Sequence, residues 1–419
     1  MSAELVVHGA EWTVKELFVY PNEFIYWSIQ IVMYPYMTGL VAGAFVLSSL
    51  YHVFGQKDLK DIAQFSLVFS LALLPVAAMP LLLHLQQPTR AMNPLLTPHF
   101  TSAIAAFGIV FSTYALIVLS EIWFVYRQFF VTQVELLRGQ SGVSNRFRRL
   151  VYQALTLGAF DLTEPALSAD RKSARVLAAA GIPVALFLHG YAGFIFGSVK
   201  ANALWMSPLM PVIFIMSAVV SGIALCMLTY IVIMEWQAFR NRRRGGAEKA
   251  AEIKVAETDA IGKSTRFLLA FLVAAISLEL LDLIFRGYTA MKSWDILRSV
   301  MYGKDFFNIF ILQYTLGNIV PFLLLVLPRR NMPRIVLALI LVLFGVFMMR
   351  WNVVIGGQAF SLSFSGYMHY DVPIIPHSME TFKEGLFGAL TVAATPFVLF
   401  WGINKFVPSL RRDLDTGQH

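Results

Sequence analysis

Charge is scarce in this chain. Only 14% of its 419 residues are Asp, Glu, Lys or Arg, where a soluble domain carries roughly a quarter. That shortage excludes a water-facing surface for most of the molecule. Thiols are scarcer still, since Cys226 is the one cysteine. A single sulfur can build neither a disulfide framework nor a thiolate-bound iron–sulfur site. The start of the chain lacks a further pattern. Glu4, Glu11, Lys15 and Glu16 fall in the first twenty residues, in place of the basic start and apolar core of a cleaved secretion signal. The first apolar run is therefore expected to direct membrane insertion itself.

What stands in place of charge is apolar sequence, 58% of all residues, with a mean hydropathy of +0.66. It falls into runs of about twenty residues or more, each long enough to cross a ~30 Å hydrocarbon core. Nine spans are predicted, at about 27–54, 62–86, 98–125, 174–198, 208–234, 266–287, 305–327, 333–354 and 384–407. The fold class expected is all-α: a polytopic membrane protein of about 9–10 transmembrane helices arranged as two four-helix bundles. Pro35, Pro75, Pro80 and Pro183 lie inside spans, where neighbouring groups can recapture the freed backbone carbonyls.

Lys and Arg set the orientation. The segments on one side, with the span ends adjoining them, hold 24 of the 33 basic residues. The positive-inside rule then puts the N-terminus outside and the C-terminus in the cytoplasm of a bacterial inner membrane. The division expected is an outer N-terminal segment 1–26 and a first bundle 27–198 carrying a cytoplasmic amphipathic segment 126–173. A linking helix and basic loop 208–265 follow, then a second bundle 266–407 with an outer loop 355–383, and a tail 408–419. The polar stretch 237–265 reads as a hinge between halves, and RNRRRGG within it as a cytoplasmic anchor without nucleic-acid character. The outer loop, rich in aromatics, Pro and Ser, suits a surface that lies against a partner protein.

Polar groups inside a membrane are expensive, so each marks a candidate site. In the first group Gln30, Tyr34, His84, His189 and Tyr191 collect toward the outer side, with His99 as an interfacial anchor. Imidazole and phenol groups converging among apolar walls can donate to carbonyl oxygens, and His can relay a proton. A quinone headgroup fits that description, and bis-histidine haem ligation by His84 and His189 is the rival reading. In the second group Glu279, Asp282 and Arg286 share one helix face by their spacing. Arg350 interrupts an apolar run at matching depth, where it can serve as counter-charge to those carboxylates, as a static lock or a proton gate. Glu121, near the cytoplasmic end of span 3, reads either as a site that admits protons or as a surface residue. Two helix groups with buried charge also suit a secondary transporter. Small residues in LVAGAFVLSSL and VVSGIALCML mark places where helices can approach closely.

Several stretches, taken together and in order, resemble the NrfD/polysulfide-reductase membrane-subunit family: YPYMTGLVAGAFVLSSL, LLLHLQQPTR, YAGFIFG, ALWMSPLMPVIFIMSAVVSGIAL and RWNVVIGGQ. Within it the likeness is greatest to membrane subunits of menaquinone reductase complexes. The resemblance implies a subunit with no haem or iron–sulfur cluster of its own, exchanging electrons with menaquinone near the outer face. It implies an iron–sulfur partner on that face, with molybdopterin-family and multihaem cytochrome c subunits beyond. Tyr191 matches the family's quinone-contacting tyrosine, whereas His84 stands where relatives often carry an acidic residue. Longer relatives are thought to conduct protons, which bears on Glu279, Asp282 and Arg350.

Overall fold

In a computed structural model the described residues are 24–56, 59–99, 101–140, 142–199, 202, 204–288, 294–328, 331–360 and 367–410. Most of the expected N-terminal segment and tail, and residues 361–366 of the outer loop, lie outside them. Nine helices among the described residues are long and apolar enough to cross a membrane. They are α1 Ile29–His52, α2 Lys60–His84, α3 Ala103–Leu136, α4 Glu164–Gly197, α5 Met210–Arg243, α6 Ala247–Tyr288, α7 Phe307–Val326, α8 Met332–Val354 and α9 Leu386–Ile403. The chain is a polytopic α-helical membrane protein. Successive spans alternate in direction, so one end of the bundle carries the outer-loop segments (the loop face) and the other the Lys/Arg-rich turns (the basic face).

Hydropathy located the spans but not their ends. Helices α3, α4, α5 and α6 run well past the apolar stretches on the basic face, because polar residues with good helix propensity continue the hydrogen-bond ladder there. Residues 237–265, expected as a hinge, are helical apart from a turn around Gly245, whose φ of +81° requires glycine. Between α3 and α4 the amphipathic segment folds as a separate helix, Val143–Leu155, docked through Tyr152 on Phe129, Phe130 and Phe406.

Proline acts as its chemistry requires. Pro75 and Pro80 flank a break at Ala78 that splits α2 into Lys60–Ala77 and Met79–His84. Helix α7 is π-helical over Phe307–Ile319 and turns α-helical at Val320–Val326, and Pro321, which has no N–H to continue the π-helical ladder, lies at the change of winding.

Helix α1 forms the centre, packed against α2, α4, α5 and α8. Its crossing with α5 is set by glycine. A β-carbon on Gly43 would sit 2.7 Å from the Cα of Gly222, so only hydrogen at both positions permits the approach. Gly317 of α7 and Gly345 of α8 make a second such crossing. Helix α9, grouped by sequence with spans six to eight, packs instead on α2 and α1, with Phe400 edge-on to Phe65 and Phe69. Its apolar face is complementary to the aromatic face of α2, a match that span order does not reveal.

Candidate functional site

Three polar neighbourhoods stand inside the apolar bundle. The first lies where α1, α2 and α9 reach the loop face. His84 closes α2, Ser28 caps the N-terminus of α1, and Glu384 ends the short helix Met379–Glu384 just before α9. The Nδ1 of His84 is 2.9 Å from Glu384 Oε2 and 3.3 Å from Ser28 Oγ, and the Ser28 hydroxyl also donates to Glu384. Burial pushes the Glu384 carboxyl upward, but the hydrogen bonds from His84 and Ser28 outweigh it and hold the group below the usual carboxylate range. Behind this dyad, fully buried Gln30 donates to the Lys383 carbonyl at 2.5 Å while its own Oε1 has no partner among the described residues. Tyr34 lies one turn further along α1, packed edge-on against Phe107.

The second neighbourhood is deeper, between α1, α4, α5 and α8. Arg350 and His189 are both fully buried. One guanidinium nitrogen of Arg350, Nη2, stands 3.0 Å from His189 Nε2, 2.7 Å from Ser217 Oγ and 3.3 Å from the Phe214 carbonyl, and its plane lies over the Phe214 ring at 3.8 Å. Arginine can only donate, so His189 Nε2 is the acceptor. The other ring nitrogen faces Thr38 Oγ1 at 3.5 Å. Gln30, Tyr34 and Thr38 follow one another at four-residue steps on α1, so one helix stripe joins the first neighbourhood to the second.

This corrects the pairing expected for Arg350. Among the described residues no carboxylate lies within ion-pair distance of it. Asp282 pairs with Arg286 on its own helix at 2.8 Å and accepts from Ser207, while Glu279 accepts from the amides of Gln313 and Asn318 at 3.0 and 3.3 Å. The reason is angular. Residues two apart on an α-helix point about 200° apart, so Arg350 faces α4 and α5 while Asn352 faces α7 and the carboxylates. Matching depth brought Arg350 level with Glu279 and Asp282, but its guanidinium turns to another face of α8, so Glu279 attracts it at longer range without contact.

The third neighbourhood is theirs. Glu279, Asp282, Arg286, Gln313, Tyr314 and Asn352 line a half-open cavity of about 100 Å³ between α5, α6, α7 and α8, whose other walls are apolar side chains.

The remaining predicted residues separate. Tyr191 joins an aromatic stripe with Phe187 and Phe194, two positions from His189 and hence on the far side of α4. One small headgroup held against His189 is thus not shared with Tyr191. His84 and His189 contact α1 at Ser28 and Thr38, ten residues or about 15 Å of helix apart, so the two rings do not face each other across one metal. Glu121 is fully buried, against its reading as a surface residue. Its carboxylate is 3.5 Å from His52 Nδ1 and neither oxygen has a hydrogen-bond partner among the described residues. A buried ion pair, Arg127 to Asp170 at 2.6 Å, ties α3 to α4 nearby. The sequence reading passed over Glu384, Ser217, His52 and Asn352. Asn308, Gln313 and Asn318 left a legible signal in their regular spacing of five, whereas Glu384 sits in a loop-like segment with nothing to mark its partner.

The similarities to known proteins agree with this architecture. The family model described as polysulphide reductase, NrfD, matches residues 20–362. A selenate reductase subunit of Mesobacillus selenatarsenatis is 28% identical over 329 residues, covering 78% of this chain and 73% of the relative. A putative dimethyl sulfoxide reductase membrane subunit of Halobacterium salinarum is 26% identical over 356 residues, covering 84% and 71%. A match over most of the length, on a bundle of nine membrane-length helices among the described residues, makes this chain a multi-pass member of the NrfD polysulphide reductase family.

Proposed function

We propose that the chain is the quinone-interacting membrane subunit of a multi-subunit oxidoreductase, with menaquinone as the quinone. The observation that carries the reading is the His84–Glu384 dyad at the loop-face end of the bundle, backed by Ser28 and by the unpartnered carbonyl of Gln30. Glu384 accepts from Nδ1 of His84, which orients the ring. His84 Nε2 makes no hydrogen bond among the described residues, so it is available to a quinone carbonyl or to the proton of a quinol. Gln30 and Tyr34 extend the polar wall inward toward His189, while Tyr191 stands apart from it. The Mesobacillus and Halobacterium relatives are both subunits of reductases, which supports membership in such a complex.

In this reading an iron–sulfur subunit docks on the loop face, with molybdopterin-family and multihaem cytochrome c subunits beyond it. That face exposes Tyr26, Ile374, Ile375 and Met379, apolar groups suited to burial by a protein partner. The excess of Lys and Arg on the basic face supports its cytoplasmic orientation in a bacterial inner membrane. Protons of the quinone reaction use buried carboxylates: Glu121 toward the basic face, and Glu279 with Asp282, Arg286 and Arg350 in the deeper half. The test is quinone turnover by the complex purified with its native partners. His84→Ala and Glu384→Gln are expected to lower turnover strongly while the subunits still co-purify. Unchanged turnover in both variants sinks the proposed site.

A further inference from the structure

Helix α7 carries three amide side chains five residues apart, Asn308, Gln313 and Asn318. On an α-helix that spacing scatters them around the axis. On the π-helix observed over Phe307–Ile319, bonding from i to i+5 stacks them on one side. The stack faces Glu279 and Asn352. Gln313 and Asn318 both donate to Glu279 Oε2, Gln313 Oε1 accepts from Asn352 Nδ2 at 2.8 Å, and the same nitrogen reaches the Asn308 carbonyl at 3.2 Å. Asn308 Nδ2 in turn lies 3.3 Å from Asp305 Oδ1 at the loop-face end of the helix. A continuous polar ladder thus runs from Asp305 at the membrane edge to Glu279 inside it.

Two atoms on the ladder are buried without a partner among the described residues, Asn352 Oδ1 and Asp305 Oδ2. Asn352 also lines the cavity, whose walls reach from Glu279 and Gln313 to Leu297 and Met301 on the loop-face helix Trp294–Tyr302. A half-open cavity of about 100 Å³ with one polar wall has room for water, which can supply the hydrogen bond that Asn352 Oδ1 lacks.

We propose that the π-helical amide ladder of α7 binds a file of water that joins Glu279 to the loop face, making that face, not the basic one, the side with which Glu279 exchanges protons. Amides give up protons reluctantly, so the ladder orients water and the water carries the proton. The π-helix is the enabling element, because it alone brings Gln313 and Asn318 onto one carboxylate oxygen. The proposal extends the functional reading to the second half of the bundle, and its test does not depend on quinone chemistry.

The test uses the full chain with its native partners in sealed vesicles. Asn308→Cys and Gln313→Cys are exposed to a charged, membrane-impermeant methanethiosulfonate reagent applied to one side at a time. Ser378→Cys in the outer loop reports which side is the loop face, Leu316→Cys on the outer surface of α7 reports lipid-facing background, and the native thiol Cys226 is buried. Labelling of both ladder positions from the side that labels Ser378→Cys, several-fold faster than Leu316→Cys, is the expected result. Labelling from the opposite side, or at the Leu316→Cys rate, overturns the ladder. Should the cysteine variants fail to assemble, radiolytic footprinting of the unmodified protein decides. Cavity-lining Met349 should oxidise several-fold faster than Met33 and Met234, which are equally buried elsewhere, and equal rates refute a hydrated cavity.

Discussion

The guanidinium of Arg350 stands 3.0 Å from the imidazole Nε2 of His189, with neither side chain exposed. A cation and a histidine, four helices' worth of apolar wall around them, hold each other through a donor–acceptor bond and not through opposite charge. Ser217, the Phe214 carbonyl, the Phe214 ring and the Met349 sulfur also contact the guanidinium. Planar, multi-donor arginine suits this task, and the point charge of lysine does not. The arrangement ties α8 to α4 and α5.

From that relationship follows a coupling test. Arg350→Met leaves His189 and Ser217 without their donor and is expected to destabilise the protein by about 3 kcal/mol, in keeping with orphaned buried polar groups. Combined with His189→Ala it should show non-additivity of about 1 kcal/mol or more, whereas combination with Asp282→Asn should be additive within about 0.5 kcal/mol. Denaturation of the detergent-solubilised protein measures both cycles. Stronger coupling to Asp282 than to His189 would make the carboxylate, and not the imidazole, the principal partner of Arg350.

The His84–Glu384 contact predicts an acid limb. Folding depresses the Glu384 pKa through the His84 and Ser28 hydrogen bonds, which outweigh the opposing effect of burial. A carboxyl whose folded pKa is depressed contributes stability above its unfolded value, near pH 4, and loses it as pH falls through the folded value. Melting temperature measured from pH 6 downward should therefore decline less steeply in Glu384→Gln than in the parent. A parallel decline in both would detach Glu384 from the stability of the loop face.

Arg127 and Asp170 form a buried pair at the basic face, with the Arg127 guanidinium also donating to the carbonyls of Ala159 and Asp161. Removing one partner strands the other, so Asp170→Asn is expected to cost about 3 kcal/mol. Arg127→Met combined with Asp170→Leu should recover part of that loss, because no unpaired charge remains. Thermal unfolding of the parent and the two variants checks the order.

Glycine offers an opposed pair. Gly43→Val forces side-chain atoms into the backbone of Gly222 and is expected to block assembly of α1 against α5, since overpacking alone costs about 1–3 kcal/mol and the backbone here cannot give way. Gly262 on α6 is exposed with nothing within 4 Å of a β-carbon. Gly262→Ala should stabilise by about 0.5–1 kcal/mol through the lower entropy of the unfolded chain. Yield of the folded protein and its melting temperature distinguish the two.

Much of this molecule is written in local properties. The nine spans follow from runs of apolar residues, the close contact of α1 with α5 from small residues around Gly43 and Gly222, and the shared face of Asp282 and Arg286 from their four-residue spacing. Each of these depends on one helix's own periodicity or on the cost of transferring its surface into lipid. The candidate polar residues were legible for the same reason, since a charge or amide in an apolar run is conspicuous wherever it ends up pointing.

Partners were not legible, because depth along a helix does not determine direction around it. Arg350 and Asn352 lie almost level, yet α8 turns one toward His189 and the other toward Gln313 and the Glu279 neighbourhood. Burial of Glu121 depended on α1 presenting His52 beside it, and the role of Glu384 on α9 folding back against α2. The sequence by itself determined that this chain is a helical membrane protein and which of its residues are costly to bury. Tertiary structure alone decided what each of those residues faces, because helix rotation, the π-helical winding of α7 and the order of packing are set by contacts between segments far apart in the chain.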